Sequence, residues 1–189
     1  MAHFWEREIE RIILTADQIR DAVQRLGEQI TKDYQGKELH VVGVLRGATL
    51  FTAELVQAID LPLTMDFIGI TSYTPSARGV VRITKDLDES IQRRHVLVTE
   101  CIVDTGLTLS YILRNLQTRE PASIAVCALL DKYVRRIIDV PIAYRGFELP
   151  YVFVVGYGLD WHQRYRNLPF IATLKPEVLE GNAQQARQR

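Results

Sequence analysis

The sequence has little of several features that mark particular classes of protein. Among its 189 residues there are only two cysteines, Cys101 and Cys127, and they do not form a CxxC pair. Two separate cysteines cannot build a disulfide framework or a cysteine-rich zinc site. No apolar run approaches the roughly 20 residues that span a bilayer. The polar N-terminus also lacks a secretory apolar core, so we expect neither a membrane protein nor a secreted one.

The chain also lacks a net charge, because lysine and arginine total 23 and aspartate and glutamate total 23. Without a basic tract, nothing in the composition points to a nucleic acid or a membrane surface as partner. No GxGxxG turn follows a strand, which argues against a dinucleotide-binding protein. Hydrophobic residues make up 47% of the chain, a value typical of globular proteins. We predict a cytoplasmic protein with a single domain over 1–180 and a polar tail at 181–189.

Hydrophobic periodicity predicts alternating strands and helices. Helical spacing is seen in three segments, 16–34, 48–59 and 107–116. Apolar runs without alternation, typical of strands covered on both faces, lie at 41–45, 63–70, 96–99, 123–130 and 152–157, with a shorter run at 80–83. This order predicts an α/β fold, a mainly parallel twisted sheet flanked by helices. Ligands bind such sheets at the carboxyl ends of the strands, so the residues that follow each strand are the candidate site.

The strongest local signal follows the strand at 96–99. Glu100 and Asp104 precede a short loop, 105–108, that leads into a helix. Backbone N–H groups, two threonine hydroxyls and a glycine there form an anion cradle at the positive end of a helix dipole. The acids would lie beside the cradle, available to ribose hydroxyls or to a proton on a reacting base. The same local pattern also fits threonines that merely cap a helix beside a solvated aspartate.

A resemblance supplies the wider context. Residues 96–109 closely resemble the phosphoribosyl-pyrophosphate motif of the purine phosphoribosyltransferases, and most closely that of the hypoxanthine (hypoxanthine-guanine) enzymes. Further resemblances follow in the family's order at 44–47, 72–73, 129–136, 146–150, 153–160 and 165–169. The resemblance implies the type I phosphoribosyltransferase fold, with a small hood over the base site formed by the N-terminal segment and about 145–175. It also implies Mg²⁺ as cofactor and a homodimer or homotetramer.

The activity that the resemblance implies is purine salvage. The 5-phosphoribosyl group would pass from phosphoribosyl pyrophosphate to a 6-oxopurine, hypoxanthine, guanine or both, giving IMP or GMP and pyrophosphate. Asp104 would be the general base or acid toward purine N7, and Ser72 and Tyr73 would begin a flexible catalytic loop.

The resemblance also assigns binding residues. Phosphoribosyl pyrophosphate would be held by Arg46, Gly47, Glu100, Cys101, Asp104, Thr105, Gly106, Leu107, Thr108 and Arg166. The purine would be met by Lys132, Phe153, Val154 and Asp160, and a metal ion would be held by Asp160 and Glu100. A cis peptide bond is expected between Leu45 and Arg46.

Cys101 departs from the family pattern, which has two adjacent acids where this chain has Glu100 and Cys101. Cysteine is a weak hydrogen-bonding group, and loss of one charge-assisted bond to a ribose hydroxyl would cost about 1.5–3 kcal/mol. Three explanations stay open. We favour an active enzyme with altered ribose contacts; the alternatives are a nucleotide-binding regulatory homologue with weak or no turnover, and an introduced substitution.

Overall fold

The computed structural model describes residues 3–72 and 81–180, apart from the side chains of Ser72 and Val81. Eight strands and three α-helices form in this part of the chain. In chain order they are β1 (Ile9–Leu14), α1 (Ala16–Asp33), β2 (Leu39–Leu45), α2 (Thr49–Ala58), β3 (Leu63–Ser72), β4 (Val81–Lys85), β5 (His95–Val103), α3 (Leu107–Gln117), β6 (Ser123–Asp131), β7 (Tyr144–Glu148) and β8 (Ile171–Leu174). A one-turn 3₁₀ helix, Tyr133–Arg135, follows β6.

The central sheet has six strands in the spatial order β4-β3-β2-β5-β6-β7. The pairs from β3 to β7 are parallel, and only the edge strand β4 runs antiparallel to its neighbour. The predicted mainly parallel sheet is therefore confirmed. Because the carboxyl ends of the parallel strands meet at one edge, the loops that follow β2, β5 and β6 come together there.

Both faces of the sheet are covered, which explains the apolar runs without alternation. On one face Val41 and Leu97 pack in a core with apolar residues of α1 and α2. On the other face Val42 and Val98 pack with Leu109 and other residues of α3. Successive residues of one strand therefore pack in two different cores. No helix in the described ranges is long and apolar enough to cross a membrane.

A second, smaller sheet pairs β1 with β8 in antiparallel fashion. It carries its own apolar cluster, which includes Ile9, Val155, Leu168 and Phe170. The periodicity did not reveal these two strands or β7. β1 buries only its two end residues, and β7 contains charged residues and a glycine, so neither gives a strong apolar pattern.

The strand predicted at 152–157 is wrong, because only two isolated bridges form there, from Val155 to Ala172 and from Gly156 to Leu159. The backbone leaves the extended conformation at Gly156, Tyr157 and Gly158, whose φ angles are +99°, +47° and +92°. A strand cannot continue through three left-handed residues. Residues 73–79 of the predicted loop after β3, the first residue of the predicted run 80–83, and the predicted tail, 181–189, lie outside the described residues.

Candidate active site

The turn from β5 to α3 lies at the carboxyl edge of the sheet and is fixed by backbone contacts. The Thr105 carbonyl accepts hydrogen bonds from the N–H groups of Ile137 and Ile138 at 2.9 and 3.1 Å. Gly106 has a φ of +81°, and a Cβ there would lie 2.2 Å from the Ile138 carbonyl oxygen. Glycine is therefore required at this position for both its backbone angle and the space available.

A cavity of about 120 Å³ opens at this turn. It is lined by Glu100, Ile102, Val103, Asp104, Thr105, Gly106, Thr108 and Leu109. The N-terminus of α3 has no side-chain cap and no acidic residue in its first turn. First-turn N–H groups have no partner within a helix, and the helix dipole favours negative charge there. The cavity therefore has the features of an anion site, and it brings together five of the predicted residues.

Asp104 has one carboxylate oxygen paired and one free. Oδ2 lies 3.5 Å from Nη1 of Arg135, whereas Oδ1 is buried without a hydrogen-bond partner among the described residues. The Arg135 guanidinium also lies over the Tyr151 ring, 5.0 Å from its centroid. Arg135 is thus held between an aromatic ring and the carboxylate. Oδ1 therefore has an unused capacity to accept a proton or a hydrogen bond.

Lys132 follows β6 and is almost buried, with 7% of its surface exposed. Burial lowers the pKa of its ammonium group, while the Asp104 carboxylate acts in the opposite direction. Long cationic side chains usually reach into solvent. An ammonium held back from water beside an acid is therefore a candidate donor to a polar atom of a ligand.

Glu100 and Cys101 point to opposite faces of β5, as successive strand residues do. Glu100 lines the cavity. Burial raises the pKa of its carboxyl to about 8, although backbone N–H groups of Cys101 and Ile102 stabilise the charged form. Glu100 is therefore the member of this pair that can meet a ligand in the cavity.

The Cys101 side chain is fully buried in the core under α1 and α2. Its thiol donates to the Tyr157 carbonyl oxygen at a sulfur–oxygen distance of 3.5 Å, and burial raises the thiol pKa. Cys101 is absent from the cavity lining. In this structure it fills the core and joins β5 to the segment around Tyr157, on the face of the strand opposite to the cavity.

A second group of predicted residues meets around one side-chain oxygen. Arg46 and Arg166 both donate to Oε1 of Gln163, at 3.0 and 3.1 Å. Arg166 also pairs with Asp160 at 2.7 Å and donates to the Gly158 carbonyl at 2.7 Å. The Gln163 N–H donates to the other Asp160 oxygen at 2.9 Å. Arg46, Asp160, Gln163 and Arg166 are called the arginine cluster below.

The backbone before this cluster has the expected conformation, since the Leu45–Arg46 peptide bond is cis. Arg46 and Gly47 are thus carried by the loop between β2 and α2. Leu107 begins α3, and its side chain is exposed. Ser72 ends β3, and Tyr73 lies outside the described residues.

The residues predicted to meet the purine differ in exposure. Phe153 is 43% exposed, and its ring meets the Trp161 ring edge-on at 5.2 Å. Trp161 in turn contacts the His162 ring at 4.4 Å. Val154 is buried in the main core, so only its backbone could contact a ligand. Phe153 therefore keeps part of its ring exposed while the ring also packs against Trp161.

The sequence did not reveal Gln163, Arg135 or Trp161 as parts of the site. Gln163 lies in a segment with left-handed backbone angles, and Trp161 directly precedes that segment. Hydrophobic patterns do not report such angles. Arg135 lies in a polar stretch after β6 where surface arginines are common. Their proximity to Asp160 and Lys132 along the chain is the one signal that could have indicated them.

The sheet, the anion cavity after β5 and the arginine cluster together define the class of protein. The sequence pattern of the phosphoribosyl transferase domain matches residues 12–162. The chain belongs to this family, and its fold is the type I phosphoribosyltransferase fold. It is therefore a glycosyltransferase of the phosphoribosyl-transferring kind.

Individual relatives resemble the chain over nearly its whole length. The hypoxanthine-guanine phosphoribosyltransferase of Mycobacterium avium is 46% identical over 187 residues, covering 95% of this chain and 92% of that protein. A solved hypoxanthine phosphoribosyltransferase of Staphylococcus aureus has a TM-score of 0.90 at 43% identity and covers 94% of this chain and 98% of that one. The Trypanosoma cruzi hypoxanthine phosphoribosyl transferase structure also has a TM-score of 0.90, at 36% identity, covering 97% and 100% of the two chains.

Proposed function

We propose that this phosphoribosyltransferase acts in purine salvage, with phosphoribosyl pyrophosphate as donor and hypoxanthine, guanine or both as acceptors. The products would be IMP or GMP and pyrophosphate. The names of the Mycobacterium avium and Staphylococcus aureus relatives support this choice of acceptor. The observation that carries the proposal is the unpaired Oδ1 of Asp104 beside the anion cavity. It provides a proton acceptor next to the place where a sugar phosphate would bind.

The sugar phosphate would bind at the start of α3. Backbone N–H groups over 105–108 and the hydroxyls of Thr105 and Thr108 would hold the 5-phosphate. Glu100 would contact a ribose hydroxyl. Burial raises the pKa of the Glu100 carboxyl to about 8, and a cation bound beside it would favour the carboxylate form, which accepts hydrogen bonds.

The purine would bind between Lys132 and Phe153. The Lys132 ammonium would donate to the 6-oxo group, and the Phe153 ring would stack on the base while the Val154 backbone meets its edge. Adenine carries an amino donor at the same place, which would leave the buried ammonium without an acceptor. The free Oδ1 of Asp104 would take the proton of purine N7. Such a site would discriminate in favour of 6-oxopurines.

The leaving diphosphate would be held by Arg46, the Gly47 backbone and Arg166, because guanidinium groups match phosphate oxygens in charge and geometry. We propose Mg²⁺ as cofactor. In the described part of the chain no three metal-ligating side chains cluster together. This fits Mg²⁺, which is usually bound through substrate phosphates, water and one or two carboxylates; here these would be Asp160 and Glu100. When bound, the ion would neutralise charge on the diphosphate.

The test is an ultraviolet assay of the purified chain with phosphoribosyl pyrophosphate, Mg²⁺ and one purine at a time. We expect turnover with hypoxanthine, guanine or both, and none with adenine. The same protein is titrated with IMP in a calorimeter. Protein that binds IMP but converts no 6-oxopurine would contradict the proposal and favour the regulatory alternative.

Three further features are proposed for the protein. We propose that Ser72 and Tyr73 belong to a loop that acts at the reacting centre, that the protein is cytoplasmic, and that it assembles as a homodimer or homotetramer. Light scattering after gel filtration distinguishes a monomer from either assembly. For the loop, Tyr73→Phe and Tyr73→Ala are compared, and a fall in kcat only in the alanine variant would indicate that the ring is needed.

A further inference from the structure

The arginine cluster is organised around a neutral acceptor. Oε1 of Gln163 accepts from Nη1 of Arg46 at 3.0 Å and from Nη2 of Arg166 at 3.1 Å. The two arginines come from separate loops, one after β2 and one before β8. Gln163 is therefore the side chain through which these two loops meet in charge-assisted hydrogen bonds.

The position of Gln163 is set by its backbone. His162 and Gln163 have φ angles of +51° and +66°, and the Gln163 N–H is held by Asp160 Oδ2 at 2.9 Å. Left-handed backbone at two successive non-glycine residues persists only where the surroundings over-determine it. The amide oxygen is thus presented between the two guanidinium groups by the fold of the segment.

An acceptor is needed at this point because two guanidinium groups repel each other. An amide oxygen satisfies one donor of each without neutralising either charge. Asp160, by contrast, pairs directly with Arg166 alone. Oε1 accepts from both guanidinium groups, as a terminal phosphate oxygen would, and it leaves the positive charge of Arg46 available to a bound anion.

We propose that Gln163 is a positioning residue, which holds Arg46 and Arg166 at the separation that a diphosphate requires before the substrate arrives. This inference rests on the proposed function. When the substrate binds, a phosphate oxygen replaces Oε1 between the two guanidinium groups, so each arginine exchanges one acceptor for another with little reorientation. Preorganisation of this kind lowers the cost of binding.

The experiment compares Gln163→Leu, which removes the acceptor at similar volume, with Gln163→Glu, which keeps an acceptor oxygen. Gln57→Leu is the matched control, because Gln57 is exposed on α2 and bonds only to the Ala53 carbonyl of its own helix. The readouts are the KM values for phosphoribosyl pyrophosphate and hypoxanthine, kcat, and the Kd of magnesium pyrophosphate by calorimetry.

We expect Gln163→Leu to raise the KM for phosphoribosyl pyrophosphate and the Kd of magnesium pyrophosphate about three- to tenfold, because both guanidinium groups lose a partner. The KM for hypoxanthine and kcat should change less than about twofold, since Lys132 and Phe153, which would hold the base, lie outside this cluster. Gln163→Glu keeps an acceptor oxygen but adds a negative charge between the two guanidinium groups, so it should also raise the Kd of magnesium pyrophosphate, and Gln57→Leu should match the original chain.

Two results would overturn the inference. One is a Gln163→Leu variant whose magnesium pyrophosphate affinity is unchanged. The other is an equal loss in all constants together with a lower thermal midpoint, which would mean a structural role only. If the original chain neither binds magnesium pyrophosphate nor turns over a 6-oxopurine, the proposed function itself fails. If the original chain is active and the Gln163 variants have the same KM and Kd values as that chain, the proposed function stands and Gln163 has no positioning role.

Discussion

Gly158 lies so close to Gly47 that a Cβ atom on Gly158 would stand 2.1 Å from the Gly47 carbonyl oxygen. The contact joins the loop that carries Arg46 to the segment that carries Arg166. The Gly158 carbonyl itself accepts a hydrogen bond from Arg166 at 2.7 Å. The close approach at Gly158 therefore brings together the two loops that carry the arginine cluster.

We expect Gly158→Ala to impair both stability and donor binding. Its φ of +92° disfavours an alanine by about 1–2 kcal/mol, and relief of the clash with Gly47 should cost about 1–3 kcal/mol more. The loops must then move apart, so the KM for phosphoribosyl pyrophosphate should rise. Urea unfolding and steady-state kinetics measure the two effects.

Gly36→Ala is the matched control for this prediction. Gly36 also has a positive φ, +72°, but nothing lies within 4 Å of the position of its Cβ. Gly36→Ala should therefore lower the free energy of unfolding only by the cost of its backbone angle, and its steady-state kinetics should be unchanged. Equal losses of stability in the two variants would mean that the contact between Gly158 and Gly47 contributes nothing beyond backbone strain.

Asp104→Asn tests the role of the free carboxylate oxygen. The amide keeps the shape of the side chain but cannot take a proton, so kcat should fall about 100-fold or more. The KM for phosphoribosyl pyrophosphate should change less than about threefold, because the helix N-terminus still holds the phosphate. Asp139→Asn, at an exposed acid on the loop after β6, serves as control. An unchanged kcat would remove Asp104 from the role of base.

The sequence was most informative where the site is contiguous. Residues 100–108 form a strand end, a turn and a helix start, and such a unit shows itself in local patterns of apolar residues, threonines and glycine. The same applies to the parallel sheet, because strands buried on both faces carry continuous apolar runs. These parts of the fold and site were predictable for this reason.

The arginine cluster was only partly predictable. Arg46 and Arg166 were found by resemblance, but the glutamine between them depends on left-handed backbone angles and on the crossing of two distant loops. Cys101 shows a second limit. An adjacent pair of residues in a motif suggests a shared role, whereas the pleat of β5 sends Glu100 to the cavity and Cys101 to the core.

The buried position of Cys101 leads to a prediction about thiol chemistry. Both cysteines are free and buried, and burial raises both thiol pKa values. Since the thiolate is the reactive form, a disulfide reagent such as Ellman's reagent should label neither cysteine quickly in the folded protein. In 8 M urea, roughly the strength that unfolds most small proteins, both should react. Rapid labelling of the native protein with loss of activity would contradict the placement of Cys101 in the core.

His40 gives a prediction about pH at the opposite end of the sheet. Its ring is buried in β2, with Nδ1 at 2.7 Å from the Thr64 hydroxyl oxygen and Nε2 without a partner among the described residues. Burial, followed by the nearby Arg94 charge, lowers the pKa of the imidazole, while Asp66 and Glu89 oppose the shift. At mildly acidic pH, His40 is therefore protonated more readily in the unfolded chain than in the folded chain.

The contribution of His40 to stability falls as the pH drops below its unfolded pKa of about 6.5, because there this residue holds more protons in the unfolded state than in the folded state. His40→Asn retains a polar group near Thr64 but cannot titrate, so its free energy of unfolding should decline less than that of the original chain between pH 7 and 5. Urea titrations at half-unit steps over this pH range resolve the slopes. His3→Asn, at an exposed position, should keep the original slope. Parallel pH profiles for His40→Asn and the original chain would show that His40 does not cause the acid sensitivity.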